Sequence, residues 1–108
     1  MKTISGYHAH IYFDQATYDQ ASVLGNQAGE LFSLRVGHMH QQPIGPHPRG
    51  NCQLSFNADL FGQVVPWLIN HRGGLTVFIH TITGDDYLDH TDNVLWLGAV
   101  EKLDLTML

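Results

Sequence analysis

Seven residues near the start of the chain, Tyr7 to Phe13 (YHAHIYF), alternate too regularly to be anything but a strand with two unlike faces. Successive side chains on a strand point to opposite sides. Tyr7, Ala9, Ile11 and Phe13 therefore make an apolar face, and His8, His10 and Tyr12 make the other. Such a strand suits a sheet covered by helices on one side only. The fold must supply those helices and leave the histidine side open.

The rest of the chain provides the elements. Asp14 can cap a helix, and Ala21, Leu24, Ala28 and Leu31 follow at helical spacing. Gly25 and Gly29 weaken that helix by about 1 kcal/mol each relative to alanine, unless close packing requires them. Phe32 to His40 reads as a second strand with Leu34 and Val36 toward the core. Strict alternation would put His38 and His40 in the core as well, and a bulge or the end of the strand near Gly37 would resolve this. A third strand, Asn51 to Asn57, turns Cys52, Leu54 and Phe56 inward and Gln53 and Ser55 outward. A helix from Ala58 to His71 follows, in which Pro66 should cause a kink or mark the start of the regular part. Leu75 to Thr81 is the fourth strand, with His80 on the side away from Leu75, Val77 and Ile79.

The order βαββαβ specifies an α+β, ferredoxin-like sandwich: a four-stranded antiparallel sheet with two helices on one face and a C-terminal extension. In that extension, residues 84–90 read as an acidic loop and the segment around Trp96 as an extra strand. The open face should carry His8, His10, Tyr12, Gln53, Ser55, Phe78 and His80. The first and fourth strands are expected to communicate only through the third, so His80 need not touch the first strand.

At 108 residues the chain reads as a single domain, residues 1–108, able to bury its own core. A net charge of −5 gives no footprint for nucleic acid. Cys52 is the only cysteine, which excludes an internal disulfide and a cysteine-built zinc site. The start MKTISGYHAH lacks the apolar run of a signal peptide, and no stretch is long enough to span a bilayer, so a cytoplasmic location away from membranes is expected.

With five Lys and Arg and eight His, the polar chemistry is mainly that of imidazole, a common metal ligand and proton carrier. His8 and His10 stand side by side, His80 matches their side, and His47 sits between Pro46 and Pro48 in a stiff loop. A facial triad would need a carboxylate beside two histidines. None of the ten acidic residues alternates onto the open face; Glu30, or Asp85, Asp86 and Asp89 of the late loop, are lesser candidates, so a three-histidine site is expected. His90 lies between Asp89 and Asp92, which suits either an acid/base group or a surface histidine. Arg49 could fork onto a substrate carboxylate or be an exposed loop charge.

YHAHIYFD, PIGPHPRG, LTVFIHTITGDDYLDHT and the closing WLG together resemble the DOPA 4,5-dioxygenase-like family of small fungal and bacterial proteins, over residues 6–98. The resemblance implies a ferredoxin-like fold and ring cleavage of a catechol such as L-DOPA beside its diol, with O2 and non-haem Fe(II), other divalent metals being possible in the purified protein. It implies a metal held from among His8, His10, His47 and His80, with His90 and Tyr12 catalytic and Arg49 and Gln53 at the substrate. Thr81 departs from the pattern, standing where the family has proline. The rival class is a ferredoxin-like dimer that binds a small molecule or metal without catalysis. The leucine-rich tail, from Leu95 to Leu108, suggests a terminal strand pairing with a second copy in a homodimer, or one that caps the chain's own sheet edge.

Overall fold

The computed structural model describes residues 2–108. Its elements are β1 (Gly6–Tyr12), α1 (Tyr18–Phe32), β2 (Arg35–His40), β3 (Asn51–Asn57), α2 (Phe61–His71), β4 (Val77–Ile82), α3 (Asp86–Asp89) and β5 (Val94–Leu97). One antiparallel sheet runs in the order β2-β3-β1-β4-β5. The first four strands follow the ferredoxin-like order, and β5 makes the sheet one strand wider than expected.

Each crossover through a helix skips one position in the sheet. The passage β1–α1–β2 leaves a slot that β3 fills, and β3–α2–β4 leaves a slot that β1 fills. The expectation that β1 meets β4 only through β3 is therefore wrong. β1 is central, and His8 lies directly opposite His80 on β4.

Local chemistry sets the boundaries. Asp14 and Thr17 form a capping box: the Thr17 amide donates to Asp14 Oδ1 and the Asp14 amide to Thr17 Oγ1. α1 continues through Phe32, which had been expected in the strand, and Ser33 reverses the chain at φ +56°. β2 starts only at Arg35. A register shift between Val36 and Met39 supplies the expected bulge, placing Met39 opposite Cys52 and His40 opposite Asn51. The first turn expected of the second helix, Ala58–Leu60, is 3-10, and Pro66 lies inside α2. Leu75 is buried but precedes β4.

The core lies between the sheet and the two long helices: Ala9, Ile11, Leu54, Val64, Leu68 and Val77 have no exposed surface. Gly29 is needed there, because a Cβ at this position would collide with Val36 Cγ2. Residues 84–90, expected as a solvated loop, contain α3, capped by Asp85. Leu95 and Leu97 extend the chain's own sheet through β5. The remaining tail is irregular apart from a 3-10 turn at Leu105–Met107, and it folds back over the proline loop, where the Asp104 amide donates to the Pro46 carbonyl at 2.9 Å. Among the described residues no helix is long and apolar enough to cross a membrane.

Candidate metal centre and cleft

On the open face, β1 and β4 bring His8, His10 and His80 together, with one ring nitrogen from each lying within 4.8 Å of the others. His10 and His80 are buried and His8 is half-buried. The backbone pairings account for this grouping. His8 and His10 are two apart on one strand, and His80 is the cross-strand partner of His8.

Hydrogen bonds determine which nitrogen each buried ring offers. The Asn51 amide group donates to the Arg49 carbonyl at 3.2 Å, which turns Oδ1 toward His10 Nδ1 at 3.1 Å. Oδ1 can only accept, so His10 Nδ1 carries the proton. His80 Nδ1 donates to the Thr81 carbonyl at 2.8 Å by the same logic. Burial, then the neighbouring His47 and His80, holds His10 well below the ordinary imidazole range. Burial is also the main reason His80 is pushed down to about 4. Both rings are therefore neutral near pH 7, and each presents an Nε2 lone pair to the other across 3.2 Å. Two lone pairs at that distance repel unless a cation lies between them. Ligand nitrogens bonded to one metal at about 2.0–2.1 Å sit roughly 3 Å apart, so the residues fit a divalent ion.

His47 belongs to the same neighbourhood but not to that trio. Its ring lies 3.9 Å from that of His10, centroid to centroid. Its Nδ1 is 2.9 Å from the hydroxyl of Tyr12, a residue with no exposed surface. Burial, aided by Glu101, raises the Tyr12 phenol above its ordinary value, so the hydroxyl keeps its proton. That proton has no other acceptor within reach, so Tyr12 donates to His47 Nδ1. His47 is pushed down to about 4, chiefly by burial and then by His80. It is thus neutral with its proton on Nε2.

His90 has the opposite tautomer. Its Nδ1 donates to the Asp86 carbonyl at 2.7 Å, leaving the Nε2 lone pair free, and its ring packs 4.2 Å from that of His80. Its ring is held by that carbonyl and not by the flanking Asp89 and Asp92 carboxylates. Asp89 is buried and accepts from Thr81 Oγ1 at 2.7 Å, Thr83 Oγ1 at 2.8 Å and the Thr83 amide at 3.0 Å. Burial alone would raise this carboxyl; the three donors outweigh it and hold the group below its usual value. Thr81, the departure from the family pattern, thus ties α3 to β4, and its amide also donates to the Asn93 carbonyl. Proline could do neither.

His8, His10, His47, His80, His90 and Gln53 line one open cleft of about 310 Å3, and Met107 and Leu108 of the tail line it too. Arg49 is not brought there. Its fork is taken by Glu101, at 3.0 and 2.8 Å, beside the Tyr12 ring. Tyr12 reaches the cleft only through His47. Asn51 went unrecognised in the sequence, although period-two alternation from Gln53 and Ser55 already puts it on the open face.

Comparison with known proteins identifies the family. The profile of the Dopa 4,5-dioxygenase family matches residues 7–107. An uncharacterized 21.2 kDa protein of Botryotinia fuckeliana is 32% identical over 94% of this chain and 62% of its own length. A DOPA 4,5-dioxygenase of Amanita muscaria is 29% identical over 97% of this chain and 50% of its own length. The chain thus spans less than two thirds of either curated relative. The crystal structure of a candidate dioxygenase from Nostoc punctiforme superposes with a TM-score of 0.93 at 42% identity, covering 96% of this chain and 90% of that one.

Proposed function

The chain belongs to the Dopa 4,5-dioxygenase family, and from that premise we propose that it is a non-haem Fe(II) dioxygenase that opens a catechol ring beside its diol. The facing Nε2 atoms of His10 and His80, with His8 alongside, carry this reading. They would hold the iron. When bound there, Fe(II) would supply the redox chemistry that couples the diol to O2. Both atoms of O2 enter the product as one ring bond breaks, so no further reductant is needed.

The chain's own groups then divide the proton work. His90 offers a lone pair at Nε2 and takes a proton from a catechol hydroxyl as the diol binds. His47 offers an Nε2–H and donates to a substrate oxygen, its tautomer held by Tyr12. In this proposal Tyr12 is a positioning residue and His47 a donor, where the family resemblance implied a substrate contact and a ligand. Gln53 stands beside His10 across the β1–β3 ladder and contacts the substrate. Met107 and Leu108 of the tail and Pro46 of the proline loop line the same cleft. We also propose a homodimer, with the outer edge of β5 as the free pairing surface.

Anaerobic reconstitution with Fe(II), followed by O2 uptake on adding L-DOPA and simple catechols, tests this reading. One O2 consumed per yellow semialdehyde product is expected. Tight iron binding with no uptake for any catechol would overturn it in favour of a non-catalytic metal-binding protein.

A further inference from the structure

The loop that carries His47 has few means of holding itself. Pro43, Pro46 and Pro48 supply no amide donors, and Gln41 to Gly45 are exposed. Within the loop, the His47 amide donates to the Ile44 carbonyl at 3.1 Å. Where the loop enters β3, the Phe13 amide donates to the Gly50 carbonyl and the Asn51 side chain to the Arg49 carbonyl. Among the described residues, its other hydrogen bonds are the one from Tyr12 to His47 and those made with the tail.

The tail contacts lie on either side of His47. One residue before it, the Pro46 carbonyl accepts from the Asp104 amide at 2.9 Å. Two residues after it, the Arg49 fork closes on the Glu101 carboxylate at 3.0 and 2.8 Å. This pair is bidentate and half-buried, which makes it stronger than an ordinary surface ion pair. The same guanidinium stands 5.6 Å from the centre of the Tyr12 ring, whose hydroxyl holds His47 Nδ1. Along the tail, Glu101, Leu103 and Leu105 are half-buried while Lys102, Asp104 and Thr106 are exposed. One side of the segment therefore leans on the protein, although it belongs to no strand.

The metal-binding trio is held by other means. His8, His10 and His80 project from β1 and β4, which are paired to each other inside the sheet. A change in the tail can therefore reach His47 without reaching the trio.

We propose that the Arg49–Glu101 pair is a latch by which the tail holds the proline loop, and that both residues are positioning residues for His47. Opening the latch lets the loop lift and the His47 ring leave the Tyr12 hydroxyl, so its proton is no longer confined to Nε2. For its effect on turnover this rests on the reading of His47 as a proton donor; for the placement of the ring it does not.

Nitrogen-15 NMR of metal-free protein labelled at histidine tests the latch in R49M, E101A and the double variant. In each single variant the Nδ1 and Nε2 signals of His47 should move toward each other, while those of His80 and His90 stay in place and report an intact fold. Trypsin should cut after Lys102 about fivefold faster in R49M than in the unsubstituted protein, because the tail is released. The double variant should match R49M, since two residues that act as one unit do not add. Affinity for Fe(II) should stay within about threefold, as expected for sites that do not couple. E101Q, which keeps the size of the side chain, gives the same test if E101A does not fold. Unchanged His47 signals, effects that add in the double variant, or loss of Fe(II) binding would each overturn the proposal. If the unsubstituted protein consumes O2 with a catechol, both single variants should turn over roughly tenfold more slowly. No O2 uptake by the unsubstituted protein would refute the dioxygenase reading and leave the ring signals to decide this one.

Discussion

Tyr12 donates its phenolic proton to His47 Nδ1 across 2.9 Å, in a place where the hydroxyl has no other acceptor. This bond fixes the far nitrogen of His47 as a donor facing the cleft. Replacing Tyr12 with Phe removes the constraint and leaves Nδ1 without its partner, at a stability cost of about 1 kcal/mol. We expect Y12F to keep its metal while turnover falls roughly 10–100-fold. Nitrogen-15 NMR of the His47 ring should show the tautomer becoming mixed. An unchanged His47 signal would mean that something other than Tyr12 sets it.

Metal content sorts the histidines. H8A, H10A and H80A should each lose most bound metal by elemental analysis, whereas H47A and H90A should retain it. Asn51 orients the His10 ring, so N51A should weaken metal binding by about 10–100-fold without removing a ligand. If H47A also loses its metal, the donor role assigned to that residue is wrong.

Acid should act on the metal-free protein through the same rings. His47 and His80 titrate near 4 when folded and near 6.5 when unfolded. Between those values the unfolded chain binds more protons, so stability is retained above about pH 6.5 and declines as the pH drops toward 4. Melting temperatures of chelator-treated protein measured from pH 7 to pH 4 would show this slope. A profile level across that window would contradict the burial of these rings as neutral groups.

The two glycines of α1 should respond in opposite directions to alanine. At Gly25 an added Cβ would meet Cys52 Sγ, Ile11 Cδ1 and Val36 Cγ1 at 3.7 Å, which is ordinary contact. G25A should therefore gain the helix preference of alanine, about 0.5–1 kcal/mol. At Gly29 the Cβ would collide with a γ-methyl of Val36, a stiff β-branched side chain on β2. G29A should lose roughly 1–3 kcal/mol despite the same helix preference. Chemical denaturation of the two variants measures both signs.

Much of this protein is legible from the order of its residues. Period-two alternation in Tyr7–Phe13 and in Asn51–Asn57 determines which side chains face the helices and which face the cleft, because a strand has only two faces. The same rule makes a histidine-rich open face unavoidable once His8, His10 and His80 lie on strands. The conflict at His38 and His40 already called for an irregularity near Gly37, and the register shifts between Val36 and Met39. Tertiary structure alone decided three other matters. It put β1 between β3 and β4, making His8 and His80 neighbours, since pairing partners depend on how the crossovers interleave. It directed the Arg49 fork to Glu101, 52 residues away, instead of to a ligand. It also gave His47 and His90 opposite tautomers, because a ring nitrogen facing an acceptor keeps the proton and one facing a donor leaves it to the other nitrogen; the deciding groups are the donating Tyr12 hydroxyl and the accepting Asp86 carbonyl. Sequence spacing carries no information about hydrogen-bond direction; that appears only when the chain has closed around the ring.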